Sequence, residues 1–368
     1  MIELNKYARG VIKRLFRNGA ATRSEIMRSL KMRLNSIVDV CNELEDLGLI
    51  VREESVRRRN GRLMLNPERF IFIGGEHRID GISLTAVDVT GKKLCHRTLG
   101  LPRENRLDHL FSAVDGFVSK FSGERICALG FSDIGLVDPS RGVGIYSAHL
   151  SEWRDVPLGE RFRQRFPYEF FLIDRVDADC FAAHPGNGCE PHIYVTVIPD
   201  GIGMSLRDSS HIWRSRMPFA GQIGHLTAVP NGPLCRCGNR GCLETVSSVT
   251  AVLKQLSEVV GKRLTEAGAL KLAASGDHLC ETVLREAGEH MGEILAKVVG
   301  ILGIGTVTLR GTLCDSSGPY FAGARAALFK EVIYPLNQKL SLDSEPRSAD
   351  NSALGAALFA RGEYFDHL

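Results

Sequence analysis

Between His225 and Glu244 the chain reads HLTAVPNGPLCRCGNRGCLE, with Cys235, Cys237 and Cys242 inside eight residues and His225 ten positions upstream. Three thiols and one imidazole make a full ligand set for tetrahedral zinc, and a site closed by four protein ligands has no open position for a catalytic water. The alternative is a disulfide with a spare thiol. A bridge from Cys235 to Cys237 would span a single residue and be strained. The opening residues, MIELNK, also lack the apolar stretch of an export signal. The other seven cysteines are scattered singly, which fits a reducing compartment. The expectation is a structural Zn²⁺ held by His225, Cys235, Cys237 and Cys242 in a cytoplasmic protein.

A zinc loop of this kind shapes a segment, not a whole chain of 368 residues, and 44% hydrophobic content is enough for two or three cored domains. No apolar run reaches the roughly 18 residues that a membrane helix needs. Charge is distributed unevenly. Residues 1–70 hold 15 Lys/Arg against 9 Asp/Glu, a net of +6 in a chain whose total is +3. A basic segment on a mildly acidic remainder points to nucleic acid at one end.

That segment has the pattern of a DNA reader. Leu4, Tyr7, Ile12, Leu15 and Phe16 give residues 3–18 one apolar side, and Asn18-Gly19 ends the helix. Thr22-Arg-Ser-Glu25 is a capping box opening a short helix to about Leu30. Ile37, Val40, Cys41, Leu44 and Leu47 recur at helical spacing in a third helix ended by Gly48. Leu49–Val51 and Arg62–Leu65 read as strands with Asn60-Gly61 as a tight turn. Three helices and a hairpin predict a winged helix-turn-helix over residues 1–69. Arg33, Asn35 and Ser36 start the third helix, where base edges are read. Asp39, one turn on, accepts from cytosine or faces away. Arg62 suits a minor groove, and Arg57, Arg58 and Arg59 suit phosphates. The bland alternative is a solvated basic hairpin. Two such readers in a homodimer, or in a dimer of dimers, suit a palindromic site.

From about Phe70, short strand patterns (70–73, 81–89, 95–99, 126–131, 170–173, 192–197, 306–310) alternate with helical ones (107–121, 246–260, 264–274, 280–301), which predicts an α/β class. No internal repeat is visible. A first lobe is expected over 70–185, completed by a C-terminal helix over 350–366, and a second over 186–349.

GQIGH (221–225) followed by PNGPLCRCGNRGCLET (230–245) closely resembles the signature of the ROK family (repressor, open reading frame, kinase). GLVD (135–138), HLSEW (149–153), DGIG (200–203) and ALGAALFA (353–360) extend the resemblance over most of the chain. The resemblance implies an actin-like ATPase (ribonuclease H-like) body of two lobes, in proteins that are sugar kinases or sugar-sensing transcription regulators.

The kinases of the family carry a phosphate loop of the form Asp-x-Gly-Gly-Thr. Here Glu76-His77-Arg78-Ile79-Asp80 stands in its place, so bulk and the Asp80 charge oppose a polyphosphate. Gly74-Gly75, in another register, has no Asp before it and no Thr after. The second phosphate segment keeps Asp200-Gly201-Ile202-Gly203 behind Pro199. The third, usually three glycines, is Arg310-Gly311-Thr312. The catalytic aspartate of the family corresponds to Asp177, or to Asp174 in another register. An aspartate at a strand end is also a common helix cap. The sugar-binding positions carry over as Val176, Asp177, Gln222, His225 and Glu244. Val176 and Gln222 depart from the family's Asn and Glu, which puts the usual hexose ligands in doubt. Beside a zinc loop, Glu244 also has the plainer reading of a surface charge. The expected function is sugar-responsive regulation, most often repression, through double-stranded DNA, with a sugar or sugar phosphate effector and no kinase activity. A sugar kinase retaining a DNA-binding arm is the alternative.

Overall fold

The computed structural model describes residues 4–53, 61–147, 150, 152–183, 189–199, 201–209, 211–213, 220–345 and 351–368. The chain divides into two compact units, Met1–Pro185 with Asp350–Leu368, and Gly186–Ala349.

The first unit opens with α1 (Lys6–Asn18), α2 (Arg23–Leu30) and α3 (Leu34–Asp46), followed by β1 (Ile50–Arg52) paired antiparallel with β2 (Leu63–Leu65). Local chemistry sets the starts. The Asn5 side chain accepts from the N–H groups of Tyr7 and Ala8, and Thr22 and Glu25 form the expected reciprocal box. Ile12, Ile26, Ile37 and Leu44 are fully buried between the helices. Arg57, Arg58 and Arg59, expected at the wing tip, lie outside the described residues.

Next come β3 (Ile71–His77), β4 (Gly81–Asp88), β5 (Lys93–Gly100), α4 (Arg106–Val118), β6 (Ile126–Ser132), β7 (Leu136–Asp138), β8 (Val143–Tyr146), β9 (Arg154–Val156), α5 (Leu158–Arg165), β10 (Glu169–Ile173) and α6 (Arg175–Ala183). The main sheet has the order β10-β6-β3-β4-β5, with β3, β6 and β10 parallel and β4 antiparallel to both its neighbours. β3 runs to His77, so Glu76 and His77 belong to a strand and not to the loop expected there. Only Arg78, Ile79 and Asp80 turn between β3 and β4. The reason is burial on both faces. One face packs Ile71, Ile73 and Leu84 against Phe111 and Phe117. The other takes the terminal helix (Asn351–His367) so closely that a Cβ on Gly74 or Gly130 would lie 1.9 Å from the carbonyl oxygen of Ala353 or Ala356. Gly74 therefore serves helix–sheet approach, while a Cβ on Gly75 would meet the Phe131 ring at 2.6 Å.

The terminal helix also ties the winged helix to the sheet. Phe365 stacks on Phe16 at 4.3 Å between ring centroids and meets Phe70 and Phe72 at 5.6 and 5.8 Å. One core runs from Ile12 and Ile37 through Phe365 to Phe72. The first unit thus holds the winged helix and the first sheet together.

The second unit contains β11 (Cys189–Ile198), β12 (Gly201–Ser209), β13 (His211–Ile212), α7 (Glu244–Ser247), α8 (Val249–Val260), α9 (Glu266–Ala274), α10 (His278–Leu302), β14 (Thr306–Arg310), α11 (Pro319–Glu331) and β15 (Ser341–Glu345). Its sheet order is β13-β12-β11-β14-β15, with β11, β14 and β15 parallel and β12 antiparallel to β11 and β13. Strand order and sense repeat those of the first unit, a duplication not visible in the residues. No described helix is long and apolar enough to cross a membrane.

Candidate functional site

The Cys-rich stretch folds as a set of tight turns. Cys235 N–H donates to the Asn239 carbonyl at 2.8 Å, Gly238 N–H to the Cys235 carbonyl at 3.0 Å, and Leu243 N–H to the Leu226 carbonyl at 2.9 Å. These turns converge one nitrogen of His225 and the sulfurs of Cys235, Cys237 and Cys242 so that all four atoms lie within 4.8 Å of one another. His225 Nδ1 is 3.6 Å from Cys235 Sγ, and Cys237 Sγ is 3.6 Å from Cys242 Sγ. Two sulfurs on one zinc ion, each about 2.3 Å from it, stand roughly 3.8 Å apart, so the donor set fits the ion. Burial raises the Cys235 and Cys242 thiols, while the Asn239 backbone N–H lowers Cys237. A divalent cation held there would supply the charge that draws all three as thiolates.

Glu244 is more than a surface charge. Its side chain is 10% exposed, Oε1 lies 3.1 Å from Cys235 Sγ and 3.8 Å from His225 Nδ1, and Arg236 pairs with it at 3.3 Å. Gln222 precedes the short 3-10 turn Ile223–His225 and is half-buried. Gln222, His225 and Glu244 thus belong to the second unit, while Val176 and Asp177 lie in the first turn of α6 in the first unit. Asp174 takes the capping role: its Oδ1 accepts from Val176 N–H at 2.8 Å, and burial raises its carboxyl. Asp177 is half-buried in the first turn of the same helix.

At the turn that replaces the phosphate loop, Arg106 of α4 is 3% exposed and lies against the turn from inside. Its guanidinium donates to the carbonyls of Arg78 and Ile79, and to those of Leu101 and Pro102 at 3.2 and 3.3 Å. Its Nε donates to His77 Nε2 at 2.7 Å. His77 Nδ1 therefore carries the ring proton and donates to Asp133 Oδ1 at 2.7 Å, and Trp153 Nε1 donates to the other Asp133 oxygen at 2.7 Å. Burial lowers the Arg106 pKa. Glu76, also buried, is paired with Arg175 at 3.1 Å. A phosphate loop presents N–H groups and a free carboxylate for Mg²⁺; here carbonyls face a guanidinium, and the carboxylates Glu76 and Asp133 are engaged by neighbouring side chains. In the third segment, Gly311 (φ +151) sits where a Cβ would be 2.5 Å from the Val197 carbonyl oxygen. Arg310 is buried and donates to the Tyr194 hydroxyl at 3.1 Å. Gly201-Ile202-Gly203 lies in β12, and Asp200 is outside the described residues. Sequence reasoning found the altered turn but missed Arg106 and Asp133, because they reach it from other elements.

The candidate DNA-contacting residues at the start of α3 are mostly open to solvent. Arg33 and Asn35 are exposed, Ser36 is half-buried, and Asp39 is exposed one turn beyond Asn35, on the same side. Glu45 anchors the helix by pairing with Arg23 at 2.5 Å and Arg52 at 2.8 Å. Arg62, half exposed, turns back to donate to the Ala20 carbonyl and lies 3.8 Å from Glu53.

A duplicated five-stranded sheet with the antiparallel hairpin on one side and parallel strands on the other defines the actin-like ATPase fold. A ROK hexokinase from Thermus thermophilus superposes with a TM-score of 0.69 at 24% identity, over 81% of this chain and 100% of that one. A solved ROK family transcriptional regulator described as a homologue of the E. coli MLC protein gives a TM-score of 0.85 at 19% identity, over 98% and 96%. Residues 71–363 match the ROK family profile, and the chain belongs to that family. It is 23% identical over 367 residues to the xylose repressor of Bacillus spizizenii, covering 97% of this chain and 95% of that protein.

Proposed function

We propose that this chain is a sugar-responsive transcription regulator, a repressor, that binds a double-stranded DNA operator through residues 1–69 and transfers no phosphate. One observation carries the reading: the lobe whose phosphate turn is occupied by the buried Arg106 shares its core with a winged helix. Similarity along nearly the full chain to a protein named as a xylose repressor supports it. In this reading Zn²⁺ is structural, held by His225, Cys235, Cys237 and Cys242. Asp177, Gln222, His225 and Glu244 belong to the effector site for a sugar or sugar phosphate. Arg33, Asn35, Ser36, Arg62 and the wing arginines Arg57, Arg58 and Arg59 meet DNA. The protein works in the cytoplasm as a homodimer or a dimer of dimers, its two readers about one turn of DNA apart.

The test is DNA binding by the full-length protein to duplexes it selects from a random pool. The selected site is expected to be a rough palindrome, with affinity falling steeply as salt rises. Asn35→Ala and Arg33→Ala are expected to weaken binding without lowering thermal stability, since both side chains are exposed. Deleting residues 1–69 is a poor test, because it removes part of the shared core. Unchanged affinity in both substitutions would overturn the assignment of α3 as reader.

A further inference from the structure

Leu34 opens α3 with its side chain 62% exposed, although the same helix buries Ile37, Val40, Cys41 and Leu44 to 7% or less. A single surface leucine needs no explanation by itself. Its surroundings give this one a use. Arg33 before it and Asn35 after it are exposed, and the Arg33 side chain makes no capping hydrogen bond to the helix that it starts. Lys31, three residues earlier, is exposed and closes α2 in the left-handed conformation, with φ 51° and ψ 40°. Glycine is the ordinary residue at such a cap, because a Cβ is strained there. Lysine at this cap accepts that strain and sets a cation in the turn before α3. Among the described residues, neither Lys31 nor Arg33 is paired with an acidic side chain. Further along α3 the exposed charges are acidic, at Asp39, Glu43 and Asp46. Repulsion therefore leaves a polyanion only the first turn of this helix to approach, and the most exposed apolar group there is Leu34. In the major groove the base edges offer one apolar group, the C5-methyl of thymine.

We propose that Leu34 is a specificity-determining residue, which packs on a thymine methyl in the operator's major groove, and that Lys31 holds the phosphate backbone beside it. The proposal rests on the reading of residues 1–69 as the part that binds DNA. It adds what that DNA must contain: a thymine at one fixed place in each half-site, met by the tip of α3. The leucine and the methyl gain by leaving water together, so base identity is read without a hydrogen bond. Lys31 meets a group that every nucleotide carries, so it adds affinity but no sequence preference.

The experiment uses the full-length protein and the duplex that it selects from a random pool. Each thymine is replaced in turn, in both half-sites, by uracil, which lacks only the C5-methyl and keeps the same hydrogen-bonding edge. At one position the wild type is expected to lose affinity about fourfold for each methyl removed, the weight of one such group taken from water. Leu34→Ala should bind the thymine and uracil duplexes equally at that position and keep the wild-type Tm, since the side chain is exposed. Asn35→Ala should remain sensitive to the methyl. Lys31→Gln should weaken both duplexes alike and make the fall of affinity with salt less steep. The uracil arm leaves the protein untouched, so it tests the proposal even if a variant folds poorly. Wild-type affinity indifferent to every uracil would overturn the proposal, as would a Leu34→Ala protein that still discriminates uracil at the sensitive position. An unchanged salt dependence in Lys31→Gln would refute the phosphate contact. A protein that selects no duplex removes the DNA-binding reading and the proposal with it, a result distinct from duplexes that are bound but whose methyls do not matter.

Discussion

Replacing Arg106 with Met keeps most of the aliphatic stem and removes every donor. His77 is fully buried and has two hydrogen-bond partners, Asp133 and Arg106, so its Nε2 is left orphaned where water does not reach. Such a loss costs about 1–3 kcal/mol. The carbonyls of Arg78 and Ile79 edge a surface turn, where water substitutes at roughly 0.5–1 kcal/mol each. The expected cost of Arg106→Met is therefore about 3 kcal/mol, a large share of the roughly 5–15 kcal/mol that holds a domain together. In a unit of roughly 200 residues, each kcal/mol moves Tm by about 2–4 °C, so the shift is about 6–12 °C. Arg106→Lys should recover only part, because one ammonium cannot serve the turn carbonyls and His77 at once. The assay is thermal and urea unfolding of the full-length protein, followed by tryptophan fluorescence, which Trp153 reports through its bond to Asp133. A loss below about 1 kcal/mol would refute the claim that the guanidinium holds the turn. It would also remove the structural reason for an absence of kinase chemistry.

Protein purified without added metal should carry one zinc per chain by elemental analysis, and Cys237→Ser should lower both zinc content and Tm; a fully folded wild type without metal would defeat the zinc assignment. A coupled assay over hexoses and amino sugars with ATP should show no turnover, and turnover that Asp177→Asn abolishes would favour the kinase instead. Glu244→Ala or Asp177→Ala should leave DNA affinity unchanged and remove its response to the effector sugar, measured as affinity with and without the sugar. Variants that respond as wild type does would place the effector elsewhere.

How far the residues alone could be read differed from element to element. The capping box of Thr22, the apolar spacing of α3 and the Cys-rich turns act within a few residues, so short-range pattern was sufficient for them, whereas the Asn5 cap, inside the helix expected over 3–18, was not read. The end of β3 was not legible. Glu76 and His77 have loop-like chemistry, yet they are strand residues because Asp133, Arg106 and Arg175 satisfy them from elsewhere in the fold. The split of the expected helix over 246–260 into α7 and α8 follows from Ser248, whose side chain caps the second piece. The duplication of the two sheets is carried by strand order, which different residues can satisfy equally well.

What the chain by itself determined is the family, the His/Cys donor set and the presence of a winged helix at its start, since each is written in contiguous residues with fixed spacing. Tertiary structure alone decided what the unusual residues do. Gly74 and Gly130 make room for a helix that arrives more than two hundred residues later. Arg106 occupies the altered turn, and Phe16 reaches the sheet by way of Phe365. These are contacts between segments distant in sequence. Burial, and not local spacing, determines which polar group meets which, because an enclosed donor or acceptor must be satisfied by whatever the fold brings beside it.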